Sequence, residues 1–324
     1  MTKKQFIETL NAWGAARIPF LFIIDFEFEN PVAVRLADVN DRDVLYDFKG
    51  VTNANVLQKS VEKINILKKQ FIPFSLYEDK FNNVFRRLAL GDSYLTNLTM
   101  KTEIEINQSL RDAFYWCHAN YKLFYKDQFL VFSPETFIKI VDNKIFSYPM
   151  KGTIDATSPE AAQTILADKK ELAEHVTIVD LLRNDLSQVA SNVTVTRFRY
   201  LDELHTNQKN LLQVSSEIQG MLPTDCQSQL GDILDALLPA GSVSGAPKSK
   251  TLEIIAEVEQ EKRGYYTGVF GYYDGVQLDS AVMIRFIEKR GNNLFYRSGG
   301  GITTQSKAAL EYQEMIDKVY LPVK

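Results

Sequence analysis

The sequence predicts an α+β fold in which extended antiparallel sheet is covered by helices. Two observations carry that reading. Short runs of aromatic and β-branched residues alternate in period two along the chain. Between them lie segments with apolar residues at helical spacing, without a regular strand–helix–strand rhythm. With 324 residues, 45% of them hydrophobic and 24% charged, the chain has a globular composition and length enough for a large core.

Taken in order, the expected strands are Phe20–Phe26, Val34–Leu36, Ser93–Thr99, Gln128–Phe132, Phe137–Val141, Val193–Arg199, Gly268–Tyr273, Ser280–Glu288 and Asn293–Arg297. The expected helices are Val56–Gln70, Tyr77–Leu90, Pro159–Asn184, Gln229–Leu238, Pro247–Glu259 and Ser306–Val319. The helix from Pro159 carries a start signal, with Thr157 or Ser158 as N-cap and Glu160 in the first turn. Ile18–Ile24 is too short to span a bilayer and, followed by Asp25 and Glu27, reads as a buried strand. The first residues lack the apolar stretch of a signal peptide, so a cytoplasmic protein is expected. Cys117 and Cys226 stand far apart, which excludes a disulfide framework or thiolate metal site and agrees with a reducing compartment. A formal charge of −4 leaves no basic footprint for nucleic acid or an anionic membrane.

Four features bear on chemistry. The segment Pro239-Ala240-Gly241-Ser242-Val243-Ser244-Gly245-Ala246-Pro247-Lys248 opens a helix. Ser244 or Gly245 is the expected cap and Pro247 sits in the first turn, so free amides there can cradle a carboxylate or phosphate. Taken singly it is a well-capped turn, and it lacks the spacing of a Walker loop. Second, Glu171 with Glu174 and Glu311 with Glu314 form two i,i+3 doublets, each on one helical face. One doublet alone is a solvated face; two that meet suit a hard ion such as Mg²⁺. The approach to the second doublet, Ser298-Gly299-Gly300-Gly301, marks close approach of the backbone to a ligand or another segment. Third, Lys151 in Tyr148-Pro149-Met150-Lys151-Gly152-Thr153 is either an exposed lysine or, if desolvated near other cations, a base or nucleophile. Glu135 is a turn carboxylate unless a site closes round it and makes it a general acid. Fourth, His175 through Asp185 places polar groups along an apolar helix, where Arg183 is expected to pair with a nearby carboxylate. The chain has three histidines and no HExxH, GxSxG or GxGxxG pattern, which argues against a zinc hydrolase, a serine hydrolase or a dinucleotide enzyme.

In this order, between residues 91 and 318, these segments resemble the chorismate-utilising family of anthranilate, aminodeoxychorismate, isochorismate and salicylate synthases. The matching stretches are Gly91-Asp92-Ser93-Tyr94, Ser133-Pro134-Glu135, Pro149 through Thr153, Glu171 through Asp185, and Pro239 through Lys248. Arg263 through Gly268, Ile284-Arg285, Gly299-Gly300-Gly301 and Glu311 through Glu314 complete the set. The resemblance implies two stacked antiparallel-sheet/helix subdomains with one active site between them. It divides the chain into a shortened strand–helix region, 1–75, packing on a catalytic domain, 76–324. By position, Glu174 and Glu314 would hold Mg²⁺ directly, with Glu171 and Glu311 behind them. Thr153, Ser244, Gly245, Tyr266, Arg285, Gly300, Gly301 and Lys318 would bind chorismate, Arg285 through its enolpyruvyl carboxylate. Glu135 would protonate the departing 4-hydroxyl.

Lys151 selects the branch. The resemblance puts a lysine here in aminodeoxychorismate synthases, proposed to attack C2 before ammonia enters at C4, and an alanine in anthranilate synthases. Leu95 stands where isochorismate and salicylate synthases carry a water-activating lysine. The expectation is therefore amination of chorismate by ammonia from a separate glutamine amidotransferase subunit, since neither cysteine lies in a Gly-x-Cys-x-Gly setting. Anthranilate synthase component I is the alternative, and a non-catalytic binding protein of the same fold is a third reading. Departures from the family pattern are Gln213, where many relatives have histidine, and Ile154-Asp155 after Gly152-Thr153.

Overall fold

The computed structural model describes residues 1–55, 62–205 and 210–323, with the side chains of Thr153, Lys170, Leu204, His205 and Leu211 left out of the description. Among the described residues two nine-stranded sheets form, and every pairing between named strands is antiparallel. The first runs Met150–Asp155, Asn210–Met221, Lys144–Ser147, Thr136–Val141, Leu278–Val282, Val269–Tyr273, Phe20–Ile24 and Val32–Arg35, with Ser191–His205 also paired to Asn210–Met221. The second runs Gly245–Ala246, Leu95–Ile106, Asn293–Ile302, Phe286–Arg290, Phe129–Ser133, Tyr121–Tyr125, Val44–Phe48 and Val51–Thr52, with Ile66–Gln70 on Leu95–Ile106. Residues 1–75 thus supply strands to both sheets.

The sheets stack, and strand alternation shows why. In Phe20–Ile24 all five side chains are buried, with Phe20, Phe22 and Ile24 packed under the helices Lys3–Ala15 and Leu230–Leu237. Leu21 and Ile23 point the other way, into a core shared with Tyr46, Phe48, Tyr121, Leu123 and Val131 of the second sheet. Period two divides one apolar run between two cores. The outer side of the second sheet is closed by helices Phe74–Ala89, Lys248–Glu259 and Ala308–Asp317, packed on Leu98, Met100 and Ile302. Among the described residues no helix is long and apolar enough to cross a membrane.

Three expected elements come out differently. Val56–Val61, the first part of the expected helix Val56–Gln70, lies outside the described residues, and its last part, Ile66–Gln70, is a strand in register Ile66↔Ile106 to Gln70↔Glu103. The open edge of the twelve-residue strand Leu95–Ile106 offers backbone partners that outweigh helical propensity. The expected helix Pro159–Asn184 is two, Ala161–Ala167 and Lys169–Leu186. Asp168 breaks it with ψ at 115°, and its carboxylate accepts the Glu171 amide at 3.0 Å, an N-cap that competes with continuous helix. Glu160, rather than Thr157 or Ser158, stands at the cap of the first piece. The expected strand Ser280–Glu288 is also two strands, and these belong to different sheets.

That last split locates the site. The chain crosses from the first sheet to the second at Met283–Arg285, and between Phe129–Ser133 and Thr136–Val141 it crosses in the opposite sense at Pro134–Glu135. The crossings lie side by side, with Phe132 N–H donating to Arg285 O at 3.1 Å and Val282 N–H to Glu135 O at 3.2 Å. Glu135 and Arg285 therefore sit where the two sheets part.

Candidate active site

A cavity of about 230 Å³ opens beside these crossings. Its wall includes Glu135, Lys151, Glu174, Ser242 and Gly301, together with Tyr94, Leu95 and Ile178. Six segments far apart in sequence thus meet: the start of the strand Leu95–Ile106, a sheet crossing, the strand Met150–Asp155, the helix Lys169–Leu186, the turn at Ser242 and the triglycine strand Asn293–Ile302. A more open groove of about 860 Å³, between Phe26–Phe28 and the helix Lys248–Glu259, contains none of the expected site residues.

Lys151 Nζ stands 2.8 Å from Glu174 Oε2. Burial works to depress the ammonium, but Glu174, helped by Glu314 and Glu171, outweighs it and holds the amine above its ordinary value. Lys318 makes the matching contact on the other helix, 2.6 Å from Glu314 Oε1, and donates to Gly299 O at 2.8 Å. Here burial prevails: the Lys318 ammonium is held below its ordinary value against the pull of Glu314, with Arg285 and Lys151 adding to the depression. Burial also raises the Glu135 carboxyl above the ordinary carboxylate range, although the Ser242 hydroxyl donates to it and Arg285 and Lys318 favour its charged form. A carboxyl so placed keeps its proton to higher pH, as an acid catalyst needs.

Among the described residues no three His, Cys, Asp or Glu side chains are gathered closely enough to hold a metal ion. Two ammonium groups instead sit against the expected ligands Glu174 and Glu314. The donor set nevertheless suits a hard divalent cation, being oxygen only and supplied by two helices. Glycine gives it room. A Cβ on Gly152 would lie 2.9 Å from Glu171 Oε2, and one on Gly300 would lie 3.3 Å from Glu314 Oε1 and 3.6 Å from Glu311 Oε2.

The remaining expected residues fall outside that wall. Arg285, in the left-handed region at φ 54°, donates from Nε to the Tyr320 hydroxyl at 3.4 Å. Tyr266 is buried in the core between the sheets, its hydroxyl pushed up to about 12 by burial. Thr153 lies on the strand beside Lys151, its side chain outside the described residues. Ser244 is buried and donates to Ala240 O at 2.9 Å, closing the one-turn helix Gly241–Ser244. Gly245, at φ 134°, then pairs with Thr96, where any Cβ would meet Leu95 O at 1.9 Å. Pro247 is the N-cap of Lys248–Glu259 and not a residue of its first turn, because the chain arrives extended from this bridge. Arg183 pairs with Asp180 at 2.8 Å, as expected for a structural role.

Sequence reasoning missed Ser242 as the partner of Glu135, and it named Arg263 only within a motif. With two serines in Ser242-Val243-Ser244, spacing did not say which would turn inward. Asp185, likewise named only within a motif, ion-pairs with Lys248 at 3.0 Å, and a Cβ on Gly241 would approach within 2.7 Å of its Oδ2.

Fold and cavity together place a buried carboxyl, an amine and the glutamate paired with it on one wall beside the sheet crossings. Residues 35–324 match the family of chorismate binding enzymes, and the chain belongs to that family. It is 49% identical over its whole length to an uncharacterized PabA-like protein of Haemophilus influenzae, spanning 98% of that protein. Aminodeoxychorismate synthase component 1 of Salmonella typhimurium is 32% identical over 75% of this chain and 56% of its own length. Anthranilate synthase component 1 of Arthrobacter globiformis is 35% identical over 59% of this chain and 36% of its own length. Among solved structures, anthranilate synthase component I of Streptococcus pneumoniae superposes with a TM-score of 0.68 at 28% identity, over 81% of this chain and 60% of that one. The chain is thus similar to proteins named for two different syntheses, that of aminodeoxychorismate and that of anthranilate.

Proposed function

We propose that the chain aminates chorismate at C4, as an aminodeoxychorismate synthase component I drawing ammonia from a separate glutamine amidotransferase. The observation that carries this reading is the Lys151 amine on the cavity wall shared with Glu135, where the resemblance places alanine in anthranilate synthases. In the proposed sequence the neutral Lys151 amine bonds to C2, the ring double bonds shift, and the C4–O bond breaks. Glu135 gives its proton to the departing hydroxyl, which leaves as water. Ammonia then bonds to C4 as the C2–N bond to Lys151 breaks, so chorismate and ammonia give 4-amino-4-deoxychorismate and water.

Mg²⁺ would be held by Glu174 and Glu314, with Glu171 and Glu311 behind them, and would supply positive charge for the ring carboxylate. Arg285 and Lys318 complement the substrate's carboxylate charge, and Gly300 and Gly301 let the ring approach the backbone. Because Lys151 is held charged by Glu174, the amine must lose that partner before it can act as a nucleophile.

A second reading, anthranilate synthase component I, is favoured by relatives of that name at 35% and 36% identity. Turnover of chorismate with ammonium and MgCl₂ by wild type and Lys151→Ala separates the two. Amination at C4 through Lys151 predicts a loss of at least about a hundredfold in the variant. Retained turnover would favour the anthranilate reading.

A further inference from the structure

Behind the cavity lies a buried ion pair that the reaction does not touch. Arg263 and Glu259 are both almost wholly inaccessible, with NH2 2.7 Å and Nε 2.9 Å from the two carboxylate oxygens. The guanidinium spends its other donors on the backbone and one hydroxyl: NH2 on Asn97 O at 2.8 Å, NH1 on Val243 O at 2.8 Å and on Thr267 Oγ1 at 3.3 Å. Glu259 Oε1 in turn accepts from Thr99 N–H and Thr99 Oγ1, each at 2.9 Å. Asn97 and Thr99 pair in register with Gly301 and Gly299 of the triglycine strand. Val243 follows Ser242, whose hydroxyl is bonded to Glu135, and Thr267 follows Tyr266.

We propose that Arg263, held by Glu259, is a positioning residue that fixes the turn at Val243 against the strand Leu95–Ile106 and so keeps the Ser242 hydroxyl on Glu135. A buried charge pair is weak support for stability, since apolar residues of like volume often replace it without loss. Its planar fork can nonetheless bind two carbonyls on separate segments at once, which an apolar pair cannot do. Arg263 acts through Ser242 and touches no reacting atom. The inference rests on Glu135 serving as the acid.

Three variants test it: Ser242→Ala, Arg263→Lys and the double replacement Glu259→Leu with Arg263→Met. Arg263→Lys keeps the charge pair and so the fold, and gives up the fork. The first readout needs no reaction: the carboxyl titration of Glu135 in [¹³C]glutamate-labelled protein, assigned with Glu135→Gln. Removing the donated hydrogen bond disfavours the charged carboxylate, so the titration should move to higher pH in Ser242→Ala and equally in Arg263→Lys. The second readout is steady-state amination with ammonium. There kcat should fall about tenfold or more with KM for chorismate within about threefold, and the alkaline limb of kcat should move up with the carboxyl titration. An unmoved Glu135 titration in Arg263→Lys and in the folded double variant, with only the melting temperature lowered, would overturn the proposal. A wild type that titrates as expected yet does not aminate chorismate would instead count against the reaction.

Discussion

At the scale of one residue, Glu135 puts a buried carboxyl on the cavity wall at the expense of stability. Its carboxyl is raised by burial, so its favourable contribution is present below the ordinary carboxylate range and is lost as pH rises through the raised value. Glu135→Gln should therefore be as stable as wild type or more so at about pH 8, and the difference should shrink by about pH 5. Denaturant midpoints at both values measure this. Turnover in the same variant should fall by about 10²- to 10⁴-fold, the usual worth of a placed general acid. A stability loss at pH 8 with turnover intact would make Glu135 an ordinary turn residue. Much of this scale was legible in the sequence: Glu135, Lys151, Glu174 and Gly301 were all named and share one cavity. What was not legible was direction. The Ser242 hydroxyl and the ammonium groups on Glu174 and Glu314 depend on where side chains turn, and spacing does not carry that.

At the scale of elements, the triglycine strand offers a contrast within three residues. A Cβ on Gly299 would stand 2.1 Å from Leu98 O, a backbone atom that cannot yield. Gly299→Ala should cost at least about 3 kcal/mol or fail to fold, as read by denaturant unfolding. Gly300→Ala meets Glu314 Oε1, the far end of a flexible side chain, at 3.3 Å, so the fold should survive while the MgCl₂ concentration needed for half-maximal turnover rises. Equal stability losses in both would contradict this assignment of roles. The break at Asp168 gives a further test. Asp168→Ala removes the cap of the helix carrying Glu171 and Glu174 and should cost about 1 kcal/mol, measured the same way. Element types were well foreseen where a segment is amphipathic, as in Phe74–Ala89 and Leu230–Leu237. They were missed where partners decide, in the strands Val44–Phe48, Tyr121–Tyr125 and Asn210–Met221; the helix Lys3–Ala15 was not anticipated either, although its Thr2–Gln5 capping box is a local signal.

Over the whole molecule, two sheets share a core and exchange strands at two adjacent crossings, and the cavity opens where they exchange. A sequence window sees Ser280–Glu288 as one apolar strand because both halves are buried. Only the two-sheet arrangement separates Leu278–Val282 from Phe286–Arg290 and leaves Arg285 at the bend. The stacked α+β architecture itself was expected from the family resemblance, and the two antiparallel sheets bear it out. Relatives named for two different syntheses belong to the same family, so fold cannot choose between the two readings. Product identity can. The purified chain would be incubated with chorismate, MgCl₂ and ammonium at mildly alkaline pH, and the products separated by chromatography and identified by mass spectrometry. The account predicts 4-amino-4-deoxychorismate as the product; anthranilate or isochorismate in its place would contradict it.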